Sequence, residues 1–148
     1  MTKHGLADAL NRHAADLAVL TQRLRAFHWM VTGPQFFQLH ALFEKEYDRW
    51  ADAADEFAER SLALGGTPPL TLADVLRLAT LEELPGTLSA RGMVERYRDD
   101  LVTLRDSFAR TLEAAEEAGD RPTANLLDGH LDGIAGTLWM LGAWLEGR

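Results

Sequence analysis

Apolar residues at Leu6, Leu10, Leu17, Leu20, Leu24 and Phe27 recur at spacings of three, four and seven, which places them on one face of a helix. The pattern breaks at Thr32-Gly33-Pro34, where glycine and proline together punctuate the chain. A second helix is predicted from about Pro34 to Leu64, with Phe36, Leu39, Phe43, Tyr47, Trp50, Ala54 and Phe57 as its stripe. Gly65-Gly66 ends it, and Pro68-Pro69 prevents it from resuming. Thr71-Leu72-Ala73-Asp74 reads as a capping box that opens a short helix to about Ala79. Ser89 caps a third long helix striped by Val94, Tyr97, Leu101, Leu104, Phe108 and Leu112, which Gly119-Asp120 closes. Pro122 suits the first turn of a fourth, with Leu126, His130, Ile134, Thr137, Leu141 and Trp144 on one side. Gly129, Gly133 and Gly136 give this last helix a thin edge against which a neighbour can pack closely, since glycine in a helix interior otherwise only weakens it.

Four long amphipathic helices, with a short crossing helix in the long connection between the second and third, describe an all-α, ferritin-like four-helix bundle. A chain of 148 residues suits a single domain, 1-148, with enough core to fold without staples. No strand alternation or internal repeat competes with this reading.

Composition narrows the function. There is no cysteine, so thiolate metal sites, disulfides and cysteine nucleophiles are excluded. The first residues show no secretion-signal pattern and the longest nearly apolar run, Gly133 to Leu145, is too short to span a bilayer. The expectation is a cytoplasmic protein with no membrane partner. A formal net charge of -8, with Lys3 and Lys45 the only lysines, argues against binding DNA by neutralising phosphates.

The candidate chemistry lies around the junction of the first two helices. His40 and Glu44 are four residues apart, as are Asp55 and Glu59, so each pair can converge on one ion, and all four fall within roughly a 100° sector of the second helix. The two pairs are nevertheless separated by about 22 Å along the helix axis, fifteen residues at 1.5 Å each, and cannot share an ion within one chain. If two copies of this helix pack antiparallel about a two-fold axis near Arg49-Trp50, the His40/Glu44 pair of one chain meets the Asp55/Glu59 pair of the other, and symmetry generates two such sites. His28, at the end of the first helix, is placed to approach as a fifth ligand. The alternative, a di-metal centre inside each bundle, uses Glu-x-x-His motifs, and no glutamate here is followed three residues later by histidine. Imidazole and carboxylate without sulfur suit Fe, Mn, Co or Zn. Open positions on such an ion are where an oxidant binds, which makes Fe(II) oxidation the natural chemistry.

At these residues the chain resembles the Dps mini-ferritins, the DNA-protecting proteins of starved bacteria. The resemblance is carried by His28-Trp29-Met30-Val31-Thr32-Gly33-Pro34, Phe36-Phe37, Leu39-His40, Phe43-Glu44 and Tyr47. It continues through Asp55-Glu56-Phe57-Ala58-Glu59-Arg60, Leu64-Gly65-Gly66-Thr67-Pro68 and Leu138-Trp139-Met140-Leu141. It implies a hollow homo-dodecamer built on two-fold dimers, which oxidises Fe(II) with hydrogen peroxide, stores the ferric mineral and protects against oxidative stress. It also implies a ferroxidase centre holding two iron ions between subunits, with His28, His40 and Glu44 from one chain and Asp55 and Glu59 from its mate. Trp29 resembles the family's aromatic that donates an electron to a reactive intermediate; a packed core indole is the other reading of it. Many members bind DNA through a flexible lysine-rich tail, whereas both tails here are short and nearly devoid of lysine, and twelve copies at -8 carry roughly -96, a charge that repels a polyanion. A DNA-compacting shell with a secondary metal site is the alternative function. A helical interaction protein whose acids are only a solvated flank is a further one.

Asp120 and Asp128 are candidates for the acids that line an iron entry pore in the family, although acids there also suit a helix N-terminus. His13 and His130 fall on apolar faces and read as core or interface histidines, while His4 has no assigned role.

Overall fold

The structure, a computed structural model, describes residues 2–146. Five helices follow in order: α1 (Lys3–Met30), α2 (Phe36–Ala63), α3 (Leu72–Leu78), α4 (Ala90–Glu117) and α5 (Arg121–Leu145), with no strand among the described residues. The local signals act as read. Thr71 and Asp74 form the reciprocal capping box, Ser89 accepts from Gly92 N, and Asp120 caps α5 by accepting from Thr123 N. At α1 the helix starts one turn before the apolar pattern, because the Thr2 hydroxyl accepts from Gly5 N.

Short connections make α1–α2 and α4–α5 two antiparallel hairpins, and α1 also packs on α3 and α4. Between them Phe43, Trp50, Phe57, Tyr97 and Phe108 are fully buried beside a leucine layer from α1. Each such side chain contributes roughly 1.5–3 kcal/mol when removed from water. The stripe of α2 differs from the predicted one at three positions, the first being Phe36, which is half-buried. Glu46 and Ala53 are buried where Tyr47 and Ala54 were expected, and the latter two are half-buried. A carboxylate inside the bundle requires partners, and those partners are described below.

Polar residues of α1 tie down the long connection. Asp16 accepts from Thr80 N (2.6 Å), Thr80 Oγ1 (2.7 Å) and Leu81 N (2.9 Å). Arg23 forks onto Asp100 of α4 (2.8 and 3.2 Å) and donates a third bond to the Glu82 carbonyl (2.8 Å). Both groups are buried, so these charge-assisted bonds offset a desolvation cost as well as fixing the loop. Of the four glycines on α5, Gly129, Gly133, Gly136 and Gly142, only Gly133 meets a close neighbour. A Cβ there would lie 2.7 Å from Arg49 Nη2, whereas Gly129 and Gly136 face open space.

Candidate metal centre

The turn between α1 and α2 is built on Gly33, whose φ of 108° is a conformation that side-chain-bearing residues rarely adopt. Its carbonyl accepts from Phe36 N, so the chain reverses within a few residues. The reversal lays His28, on the last turn of α1, against His40, on the second turn of α2. The two rings stack with centroids 3.7 Å apart and planes inclined by 11°. His28 Nδ1 donates to the His40 carbonyl and His40 Nδ1 donates to the His28 carbonyl, each at 2.7 Å. A carbonyl oxygen can only accept, so both Nδ1 atoms carry hydrogen and Nε2 is the ring nitrogen left to bind an ion. Fixing the tautomer through the other ring nitrogen is the usual way a protein orients an imidazole for metal. Phe36 stacks on His40 at 4.9 Å, and Tyr47 sets its edge toward His28 at 5.5 Å. The Arg25 guanidinium covers the face of Tyr47 at 4.8 Å.

Glu44 follows one turn after His40 and is exposed, as are Asp55 and Glu59 further down the same uninterrupted helix. Within one chain the structure therefore pairs His28 with His40 and keeps Asp55 and Glu59 away from them. Among the described residues, no three histidine, aspartate or glutamate side chains of one chain converge as an ion would require. Trp29 is 61% exposed, which rules out a packed indole in the isolated chain, and Met30 and Phe37 beside it are also exposed. Met30 lines an apolar groove of about 650 Å³ together with Ala26, Ala51, Ala54, Leu72 and Leu76.

A second polar constellation lies inside the bundle. Tyr97 donates from its hydroxyl to Glu46 Oε2 at 2.6 Å and accepts from Trp50 Nε1 at 2.8 Å. Arg49 Nη1 donates to the same Glu46 oxygen at 3.0 Å and to Thr137 Oγ1 at 2.8 Å, and its guanidinium lies 4.4 Å over the Trp50 ring. Burial and the adjacent Glu46 carboxylate push the Tyr97 phenol well above its usual range, which keeps it a donor. The stripe predicted for α2 does not include Glu46, so the sequence reading does not reveal this cluster. The available signal was that it completes the three-four spacing between Phe43 and Trp50.

The remaining histidines fall into place. His13 is buried between Phe57 and Phe108 with Nε2 bonded to Thr111 Oγ1 at 2.8 Å, while its Nδ1 has no partner. Burial, helped by Arg12 and Arg110, lowers its pKa to about 3. His130 is half-buried on Phe57, with Nε2 3.5 Å from Glu56, and burial lowers its pKa. His4 is exposed beside Asp8. Asp120 is engaged by Arg60 (2.8 Å) and Thr123 (2.6 Å) as a helix cap, and Asp128 is exposed.

Two antiparallel helical hairpins joined by a long crossover with its own short helix, and an imidazole pair presented at a hairpin end, define a protein of the ferritin-like class. The sequence matches the family described as a ferritin-like domain over residues 7–147. The chain belongs to that family and, within it, to the Dps proteins. It is 41% identical over 141 residues to the DNA protection during starvation protein of Brevibacillus brevis, covering 95% of each chain. The crystal structure of a Dps protein from Bacillus brevis superposes with a TM-score of 0.94 at 40% identity, covering 97% of this chain and 96% of that one. A Dps protein from Vibrio cholerae O1, described as a member of a broad superfamily of ferritin-like diiron-carboxylate proteins, superposes at 0.93 with 33% identity, covering 97% and 90%.

Proposed function

We propose that this protein is a ferroxidase that takes up Fe(II), oxidises it with hydrogen peroxide between two subunits and stores the ferric product inside a homo-dodecamer. The observation that supports this most strongly is the His28–His40 pair, whose rings are held by main-chain bonds at Nδ1 and by stacking, leaving both Nε2 atoms without a partner among these bonds. Imidazole nitrogen with carboxylate oxygen is a donor set suited to iron, and Glu44 stands one turn from His40. The missing carboxylates come from the partner subunit's Asp55 and the partner subunit's Glu59, when two α2 helices cross antiparallel near Arg49-Trp50. Ala51 and Ala54 line the groove beside that crossing and are small enough for close approach. The exposed Leu72 and Leu76 of α3 extend the apolar surface available to the same partner.

Two Fe(II) ions bound there are the substrate. Each gives one electron to peroxide, whose O–O bond breaks, and two protons complete two waters. The protein's part is to hold both ions at one face, with imidazoles that need no reorganisation and carboxylates that offset the charge gained on oxidation. The -8 charge of each chain favours cation uptake and repels DNA. DNA protection of the kind named in its relatives then follows from removing Fe(II) and peroxide, without a coat on the nucleic acid.

Anaerobic protein loaded with Fe(II) and then given peroxide should form ferric product faster than buffer does, with two Fe(II) consumed per peroxide. Oxidation no faster than in buffer overturns the reading.

A further inference from the structure

We propose that Tyr97 is an internal one-electron relay, oxidised from the His28/His40 end through Tyr47 and Trp50, with Glu46 receiving its proton. Removing an electron from a phenol makes it a strong acid, so a buried tyrosine can be oxidised only where a base waits for the proton. Tyr97 is fully buried and its hydroxyl meets Glu46 Oε2 at 2.6 Å. Trp50 Nε1 bonds the same phenolic oxygen at 2.8 Å and would stabilise it once the hydrogen has left.

Aromatic residues at helical spacing lead from the imidazole pair toward this group. Tyr47 lies 5.5 Å from His28. Tyr47 and Trp50 are three residues apart on α2 and so neighbours on its surface. The cations along the path set its direction. Arg25 covers the ring of Tyr47 at 4.8 Å and Arg49 that of Trp50 at 4.4 Å, and a cation over a ring opposes a positive hole on it. Tyr97 instead has at its hydroxyl a carboxylate that can take its proton, an oxygen it shares with Arg49 (3.0 Å), so the hole comes to rest there as a neutral radical, away from solvent. Filling the core does not call for this arrangement, because a carboxylate is costly to bury and an apolar residue at position 46 would pack.

The step rests on the iron reading above for its oxidant. When peroxide meets a single Fe(II), its O–O bond breaks to give Fe(III), one hydroxide and one hydroxyl radical. That radical draws an electron through Trp50 and becomes a second hydroxide. Tyr97 is left as a neutral tyrosyl radical and its proton resides on Glu46. A later Fe(II) returns an electron, the proton moves back from Glu46, and the iron leaves as Fe(III). The sum is again two Fe(II) per peroxide, with no radical released.

The test uses the full chain and electron paramagnetic resonance on frozen samples. One arm oxidises iron-free protein with a flash-generated ruthenium(III) polypyridyl complex; the other adds less than one Fe(II) per site, then peroxide. The chain has only two tyrosines, so Tyr97→Phe and Tyr47→Phe assign any tyrosyl signal. Wild type should give a neutral tyrosyl in both arms that survives in Tyr47→Phe at lower yield, is lost in Tyr97→Phe and is diminished in Glu46→Gln. Glu46→Gln keeps an acceptor for the Tyr97 hydroxyl, so it carries the test if Tyr97→Phe melts early. No tyrosyl in the flash arm, or one indifferent to both Tyr97→Phe and Glu46→Gln, overturns the relay. Should iron go unoxidised in the second arm, the iron reading falls while the flash arm still decides for or against Tyr97.

Discussion

His28 and His40 each hold the other's main chain: the side chain of one bonds the carbonyl of the other, and the rings stack between. Loss of either ring would therefore remove one of the two proposed ligands and release the other. His40→Ala should lower the initial rate of Fe(II) oxidation by about tenfold or more, the range seen when even an orienting partner is lost. His4→Ala, at an exposed position, should leave it unchanged. Stopped-flow absorbance of the ferric product reads both.

A site divided between subunits can be rebuilt from two defective chains. His40→Ala and Asp55→Ala/Glu59→Ala should each be inactive. Dissociated and reassembled together, they form mixed dimers in which one of the two sites is whole, restoring about a quarter of the wild-type sites under random pairing. If the ligands all came from one chain, mixing would restore nothing.

Acid should weaken the fold through His13. Its pKa is about 3 in the native protein against 6.5 when unfolded, so between these values the unfolded chain binds more protons. The stabilisation is complete above pH 6.5 and is lost as pH falls toward 3. From this group alone, stability should drop by about 2 kcal/mol between pH 7 and pH 5, at 1.36 kcal/mol per unit. His13→Gln should show a smaller fall over that interval in paired urea or thermal unfolding experiments.

Alanine at two glycines of α5 should act in opposite directions. In Gly133→Ala the new methyl displaces the Arg49 guanidinium from Thr137 and Glu46, a crowding cost of about 1–3 kcal/mol. That exceeds the gain of roughly 1 kcal/mol in helix propensity. Gly136→Ala meets nothing and keeps only the gain. Thermal melts of the two variants should bracket the wild type.

DNA should pass the protein by. With a net charge of -8 per chain, a mobility-shift titration at low salt should show no retarded band. Retardation that disappears with added salt would restore the DNA-compacting alternative.

The helices were legible because their signals are local: Thr71 with Asp74, Ser89, and the break at Gly33-Pro34 depend on neighbours in sequence. So were the leucine face of α1 and the aromatic positions of α2 and α4. Glu46, Asp16, Arg23 and Asp100 were not, because a buried charge is tolerated only through partners that the fold supplies. Arg23 meets Asp100 from 77 residues away. The imidazole lock escaped notice for another reason. Its acceptors are carbonyls, which every residue carries, so no spacing announces them. Spacing along α2 did separate His40/Glu44 from Asp55/Glu59, and the structure keeps them apart within the chain.

The bonds that Asp16 and Arg23 send to the connection also bear on how the chain reaches its fold. Within each hairpin the helices are joined by a few residues and can zip together early, at small entropic cost. The ties from Asp16 to Thr80 and from Arg23 to Asp100 span 64 and 77 residues, and each must close a loop containing all of α2. Docking one hairpin on the other is then the late, slow event, and Arg23 is desolvated only when Asp100 arrives. Until that moment both hairpins expose their apolar faces, which makes this the interval in which newly made chains are most open to aggregation.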